Sequence, residues 1–351
     1  MNGLSLFSSA GIGELYLKQI GIDIKVANEL IKRRAELYSK IHKNSEIIHG
    51  DITDKKVYKE IISKAKDQKI EFIIATPPCQ GFSLAGKNKN LKQMQSDKRN
   101  YLLNYVVSSI KDLDPKFVLI ENVPRFLDMY FKHGDHLLQP AEFLNKELGK
   151  KYHIVESVYN ANHFNVPQDR RRAIIKIYKK GFTWNEPILS KSRPTLRDAV
   201  GHLPSIESGE YSNIPWHYGR VHSENHIKAM QYTPEGKSAF ESNNILKSDK
   251  GNTPKGFKTT YARMEWDKPC PTITMRNDAI SSQRNVHPGR KLKNGTYSDA
   301  RVLSIKELFL LTGLGNSFTL PKDTSEILIR QIIGEAVPPK LIRGICKGIV
   351  K

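Results

Sequence analysis

The sequence predicts an α/β fold: a doubly wound, mostly parallel sheet with a smaller, loop-rich second domain. Three observations carry that prediction. Short apolar runs alternate with helical stretches through the first half of the chain. Several of those runs end in an acid, a glycine turn or a proline pair, at the strand ends where an open α/β sheet builds its site. Beyond about Gly181 the periodicity fades and turn formers and aromatics dominate.

The elements follow in order. Runs at Gly3–Phe7, Ile24–Asn28, Glu46–Ile48, Phe72–Ala75 and Phe117–Ile120 read as strands, with helical stretches such as Leu30–Ile41, Lys55–Ala65 and Asn100–Ile110 between them. Tyr152–Asn160 and Ala173–Tyr178 flank a turn and suit an antiparallel edge pair. From there to about Tyr261 come Trp184, Pro204, Trp216, Tyr218, Gly236 and Gly251, with little regular pattern. Helix patterns return at Ser304–Thr312, Ser325–Ile333 and Pro339–Val350, the last placing Leu341, Ile342, Ile345 and Ile349 on one face.

A chain of 351 residues with 38% hydrophobic content reads as a soluble globular protein, large enough for one big domain and a smaller one. No apolar stretch approaches the ~20 residues that span a bilayer, and no basic leader precedes the first strand. Cys79, Cys270 and Cys346 are far apart and form no CxxC pair. This argues against structural zinc, a disulfide framework or any metal site, and fits a reducing cytoplasm. Fifty-six Lys and Arg against thirty-six Asp and Glu give a formal charge of +20. The excess clusters: Arg170, Arg171, Arg172, Lys176, Lys179 and Lys180 face the single Asp169, and Lys87, Lys89, Lys92, Lys98 and Arg99 the single Asp97. Arg284, Arg290, Lys291 and Lys293 form a third patch without an acid. Such patches suit nucleic acid; a lysine-rich surface that only solubilises the chain is the competing reading.

Pro77-Pro78-Cys79-Gln80-Gly81 follows directly on Phe72–Ala75, presenting a thiol at the mouth of a buried strand. The placement suits a nucleophile; a buried structural cysteine is the alternative. Leu4–Phe7 runs into a turn with Gly11 and Gly13, and Glu29 sits at the end of the second strand. An acid about 20 residues beyond such a glycine turn is how a nucleotide-type fold holds an adenosine ribose. Gly50-Asp51-Ile52 adds an acid able to accept from an adenine amine, although each acid alone could be solvated surface charge. Glu121-Asn122-Val123 closes the Phe117–Ile120 run; a carboxyl there can have its pKa raised until it donates a proton near neutrality. In Gln168-Asp169-Arg170-Arg171-Arg172, strand alternation puts Gln168, Arg170 and Arg172 on one face, able to grip a phosphate or a carbonyl oxygen.

These motifs, in this order and over nearly the whole length, resemble the DNA cytosine-C5 methyltransferases. The matching run is Phe7…Gly11, Glu29, Asp51, Pro77-Pro78-Cys79-Gln80, Asp97…Arg99…Leu102, Glu121-Asn122-Val123 and Gln168…Arg170…Arg172, then Arg263…Pro271-Thr272-Ile273 and Gly334–Pro339. The resemblance implies a Rossmann-like fold dependent on S-adenosylmethionine. It implies a cofactor- and catalytic domain at 1–180, target recognition at 181–300 and C-terminal helices at 301–351 packing back on the catalytic domain. Phe7, Gly11, Ile12, Glu29, Leu30, Asp51, Ile52, Pro77, Leu102 and Ala336 look like cofactor contacts, Glu29 on the ribose and Asp51 on the adenine amine. Cys79 looks like the nucleophile for cytosine C6, Glu121 the acid at N3, and Arg172 the group holding O2. Arg170 looks like a support for the cysteine loop or its phosphate contacts, and Gln80 to about Arg99 like a loop that closes over DNA.

Two departures stand out: the glycine turn has Ser9 at the family's first glycine after Phe7 and Ile12 where a glycine is common, and Glu335 stands where asparagine is usual. The implied enzyme flips a cytosine out of double-stranded DNA, needs no metal, and works as a cytoplasmic monomer with a cognate restriction endonuclease as functional partner. A tRNA cytosine-C5 methyltransferase and an inactive DNA-binding regulator are the alternatives. An NAD-dependent oxidoreductase would need a fuller glycine fingerprint.

Overall fold

The computed structural model describes residues 1–78, 101–241 and 259–350; Cys79 and the expected Gln80–Arg99 loop lie outside the described residues. The chain forms two compact units. The first comprises Met1–Asn160, Arg171–Ile188 and Leu341–Lys351, and the second Ala161–Arg170 and Leu189–Lys340.

The first unit is built on a seven-stranded sheet: β1 (Asn2–Leu6), β2 (Asp23–Glu29), β3 (Glu46–His49), β4 (Phe72–Ala75), β5 (Phe117–Asn122), β6 (Tyr152–Asn160) and β7 (Arg171–Lys179). The strand order is β3-β2-β1-β4-β5-β7-β6, parallel from β3 to β5. β7 runs antiparallel to both β5 and β6, so the expected pair does close one edge. Every residue of β4 and β5 is buried, as the parallel centre of a doubly wound sheet demands.

Helices α1 (Lys32–Ile41), α2 (Lys55–Asp67), α3 (Leu102–Leu113) and α4 (Pro140–Leu148) belong to this unit. Their starts are legible chemistry. Asp54 caps α2 by accepting from the Lys56 N–H at 2.7 Å. Pro140 opens α4 at a position where its missing N–H costs nothing. Ile61, Ala65, Val106, Ile110 and Leu144 fill the core beside Leu4, Leu6, Ile73 and Val118. The expected Leu30–Ile41 helix begins two residues later, because Glu29 takes the Ile31 N–H at 2.8 Å and holds Ile31 extended.

The second unit has short helices α5 (Leu196–Val200), α6 (Glu224–Gln231), α7 (Ile305–Leu311) and α8 (Glu326–Glu335) joined by turns. One small apolar cluster gathers Met230, Ile280, Val286 and Val302. Leu196, Leu308, Phe309 and Ile329 are also buried, and polar scaffolding adds to them. Arg301, wholly buried, bonds Glu307 at 2.9 and 3.0 Å and Asp299 at 3.0 Å. Arg263 donates to the carbonyls of Met230, His287, Ser298 and Asp299. Buried charges tolerate such a position only when paired and hydrogen-bonded throughout.

The units divide the chain differently from the expected boundary at 300. α7 and α8 lie in the second unit, since Arg301 binds α7 through Glu307 and Asn277 accepts from and donates to Arg330 of α8. Only Leu341–Lys351 returns to the first unit. There the last helix, α9 (Pro339–Cys346), stops before the expected Val350. Ile349–Val350 instead pairs as a short strand with Thr183–Trp184, and Trp184 donates to the Ile345 carbonyl at 2.9 Å.

Candidate active site

Within the first unit, the expected site residues gather along the carboxyl ends of β1 to β5, where the strand order reverses between β1 and β4. Side-chain bonds tie these ends into one rim. Asn28 of β2 donates to the carbonyls of Ile48 and Gly50 at 2.9 and 3.1 Å. Glu29 accepts from the Ser9 N–H at 2.8 Å, drawing the turn after β1 toward β2. The Thr76 hydroxyl donates to the Phe7 carbonyl at 2.9 Å, joining that turn to the end of β4. Asn122 of β5 donates to the Pro77 carbonyl at 2.9 Å and so anchors the chain two residues before Cys79.

The turn itself is unusual. Phe7 and Ser9 have φ of 62° and 50°, in the left-handed region, alongside Gly11 at 70°. For residues other than glycine this costs roughly 1–2 kcal/mol each. A charge-assisted bond such as that from Ser9 to Glu29, of a kind worth about 1.5–3 kcal/mol, offsets part of it. Ser9 thus holds a left-handed backbone conformation that glycine adopts without strain. Ile12 is buried at the start of a single turn of 3-10 helix.

Leu30 stands 59% exposed beside the buried Glu29. Asp51 is exposed, with Oδ1 accepting from the Thr53 N–H at 2.9 Å. Ile52 and Leu102 direct their side chains into or against the core, and Pro77 is buried.

Glu121, buried on β5, meets Arg172 of β7, whose Nε lies 2.8 Å from Oε1. Arg172 also donates to the Arg171 carbonyl at 2.7 Å. Burial pushes the Arg172 guanidinium below its ordinary value while Glu121 draws it back. The cross-strand pair arises because Glu121 lies opposite Ile174, two residues and one pleat from Arg172.

Gln168 and Arg170 do not share this face as expected. Both belong to the second unit. Arg170 is 2% exposed and donates to the carbonyls of Ile273 and Gly334 at 2.7 and 3.0 Å. Gln168 accepts from the Ile273 N–H at 3.2 Å. Strand alternation fails because β7 begins only at Arg171. Of the phosphate or carbonyl oxygen expected for Arg170, it is carbonyls that it grips, binding two backbone segments together; the cysteine loop it was expected to support lies outside the described residues. Ala336, the C-cap of α8, is likewise part of the second unit.

Sequence reasoning missed Glu14, Tyr38 and His42, which pack beneath the Gly11 turn. A buried acid in a helical turn and an aromatic four residues before a histidine carry no motif signal of their own. Cys270 and Cys346 are both buried, and burial pushes both thiols far up. Among the described residues no three His, Cys, Asp or Glu gather to hold a metal ion, and no helix is long and apolar enough to cross a membrane.

Comparison with known proteins shows the family. The C-5 cytosine-specific DNA methylase family matches residues 1–351. The type II methyltransferase M1.HgaI of Avibacterium volantium is 52% identical over 350 residues, covering 99% of this chain and 97% of that protein. M1.HphI of Haemophilus parahaemolyticus, also a type II methyltransferase, is 28% identical with 99% and 86% covered. The Entamoeba histolytica methyltransferase EhMeth shares the fold with a TM-score of 0.65 at 15% identity, covering 99% of this chain and 97% of that one. The chain belongs to the C-5 cytosine-specific DNA methylases. It is thus an enzyme that methylates DNA cytosine at C5, with S-adenosylmethionine as methyl donor.

Proposed function

We propose that this enzyme methylates one specific cytosine in double-stranded DNA by adding Cys79 to C6 of a flipped-out base, as the methyltransferase of a type II restriction–modification system. The observation that carries the reading is the rim that ends in the Glu121–Arg172 pair and, through Asn122, fixes Pro77 just ahead of Cys79. The type II assignment rests on the 52% identical M1.HgaI.

The chemistry sets the roles. C5 of cytosine is too weak a nucleophile to take a methyl group unaided. The Cys79 thiolate adds to C6, forming a C6–S bond, while Glu121 bonds N3 and supplies the proton that compensates the charge entering the ring. Arg172 holds O2 and keeps Glu121 in place. Cofactor binding supplies an electrophilic sulfonium methyl for the activated C5. Loss of the C5 proton to solvent then expels the thiolate, and N3 returns its proton to Glu121, restoring the aromatic ring and the acid. Cys270 and Cys346 are poor rivals as nucleophiles, because wholly buried thiols seldom yield a thiolate.

The first unit fits the cofactor. Two backbone N–H groups occupy part of the acceptor capacity of Glu29, about four sites for a carboxylate, and ribose hydroxyls suit the remainder. Exposed Leu30 offers an apolar surface to adenine, and Asp51 a carboxylate to its amine. Phe7 to Ile12 faces the methionine end. Ile52, Pro77 and Leu102 contribute walls and backbone.

Residues 181–300 read the sequence, aided by the +20 charge. The reading includes a cytoplasmic monomer whose endonuclease is a functional partner. A tRNA substrate and an inactive regulator have less support, since the family is one of DNA methylases.

Bisulfite sequencing of DNA from cells expressing the protein tests the reading. Methylcytosine should recur in one sequence context. Methylation of tRNA with none in duplex DNA would overturn it.

A further inference from the structure

We propose that Glu14, Tyr38 and His42 are positioning residues: a buried shelf that holds the Phe7–Gly11 turn in the shape that receives S-adenosylmethionine. The inference rests on reading that turn as part of the cofactor site.

The shelf is continuous. Ser5 of β1 and Tyr38 of α1 both donate to the Glu14 carboxyl, Tyr38 at 2.8 Å. The Tyr38 ring stacks on His42, with centroids 4.4 Å apart and planes 28° from parallel. His42 Nε2 lies 3.1 Å from the Gly11 carbonyl oxygen. Burial pushes His42 down to about 4, so the ring is neutral near pH 7 and the nitrogen facing that carbonyl is the one that carries the proton. A Cβ added at Gly11 would fall against His42 Nε2 and 2.6 Å from Tyr38 Cε2. The glycine is therefore required both by its φ of 70° and by the shelf beneath it.

The turn needs this support because two of its residues lack the freedom of glycine. Phe7 and Ser9 persist at positive φ only if their surroundings over-determine them. Glu29 grips the turn from the β2 side through Ser9. The shelf grips it from the α1 side through Gly11. A buried acid and a buried imidazole are costly to keep, and the chemistry at Glu121 and Arg172 makes no use of either.

Loosening the shelf costs order in the turn before the cofactor arrives. The loss therefore falls on cofactor affinity and spares the step that follows binding. Calorimetry of S-adenosylmethionine binding to the full chain, and kcat on duplex DNA at saturating cofactor, separate the two. His42→Ala should raise the Kd about tenfold, the effect of one lost hydrogen bond, with kcat changed less than about twofold. His42→Gln, whose amide N–H reaches as far as Nε2, should recover most of the affinity. Should His42→Ala fail to fold, Tyr38→Phe cuts the link to Glu14, keeps the ring, and should raise the Kd in the same way. Glu29→Ala is the arm that tests the turn's own role. A normal Kd for the shelf variants beside a raised Kd for Glu29→Ala would overturn this inference alone. Normal affinity in all of them would overturn the reading of the turn as well. A Kd rise that glutamine fails to recover, with kcat falling in parallel, would reduce the shelf to general packing and refute it.

Discussion

Arg172 Nε and Glu121 Oε1 are 2.8 Å apart on neighbouring antiparallel strands, with both side chains about nine-tenths buried. A buried pair of this kind is worth keeping only if its geometry has a use, because breaking it strands a charge. Arg172→Ala should therefore cost on the order of 3–5 kcal/mol of stability, besides activity. Arg172→Lys keeps the charge but not the planar fork, and should hold the fold better than alanine while losing most turnover. Urea midpoints together with single-turnover rates distinguish these effects. An active Arg172→Ala enzyme would remove the pair from the mechanism.

Cofactor contacts give a second prediction. Glu29→Ala and Asp51→Ala should each weaken S-adenosylmethionine binding by about 1–3 kcal/mol, typical for bonds to charged groups. Glu29→Ala should be the more damaging, because its carboxylate also holds the Ser9 and Ile31 N–H groups. Equal losses on titration calorimetry would mean that this grip on the turn is irrelevant.

The pH dependence of stability has a defined sign. Burial pushes Glu14 up to about 7 from 4.5. Between those values the native chain holds a proton that the unfolded chain releases. The associated stability is full below pH 4.5 and is lost as pH rises through about 7. His42, His222 and His287, each pushed down to about 4 chiefly by burial, act in the opposite sense: their share is present above 6.5 and lost as pH falls through about 4. Glu14→Gln removes only the first component. The stability of wild type relative to Glu14→Gln should then fall, on the order of 1–3 kcal/mol, from about pH 5 to about pH 8. Parallel unfolding curves for the two proteins would show that Glu14 titrates normally.

Much of the first unit was legible in the sequence because its physics is local. Runs such as Phe72–Ala75 and Phe117–Ile120 are apolar throughout, as strands covered on both faces must be. Glu29, Pro77 and Glu121 followed from their positions at the ends of those runs. What escaped depends on contacts distant along the chain. Nothing local to Gln168 and Arg170 shows that they leave the strand for Ile273 and Gly334, more than a hundred residues on. The second unit's polar scaffold around Arg263 and Arg301 likewise has no periodicity to read. The Glu14–Tyr38–His42 shelf joins a turn to one face of α1, and neither segment alone announces the other.

Sequence recognition gives a further prediction. Exchange of residues 181–300 for the matching segment of another family member should move methylation to that member's sequence while the chemistry persists. Unaltered site choice in the chimera would assign recognition to residues outside that segment.

The central claim, covalent attack by Cys79, is tested most directly with duplex DNA carrying 5-fluorocytosine at the target position. Fluorine cannot leave C5 as a proton does, so the final elimination is blocked and the C6–S bond persists. With S-adenosylmethionine present, the wild-type enzyme should form an adduct stable to denaturant that peptide mapping assigns to Cys79, and Cys79→Ser should form none. An adduct at Cys270 or Cys346, or one that survives Cys79→Ser, would contradict the account.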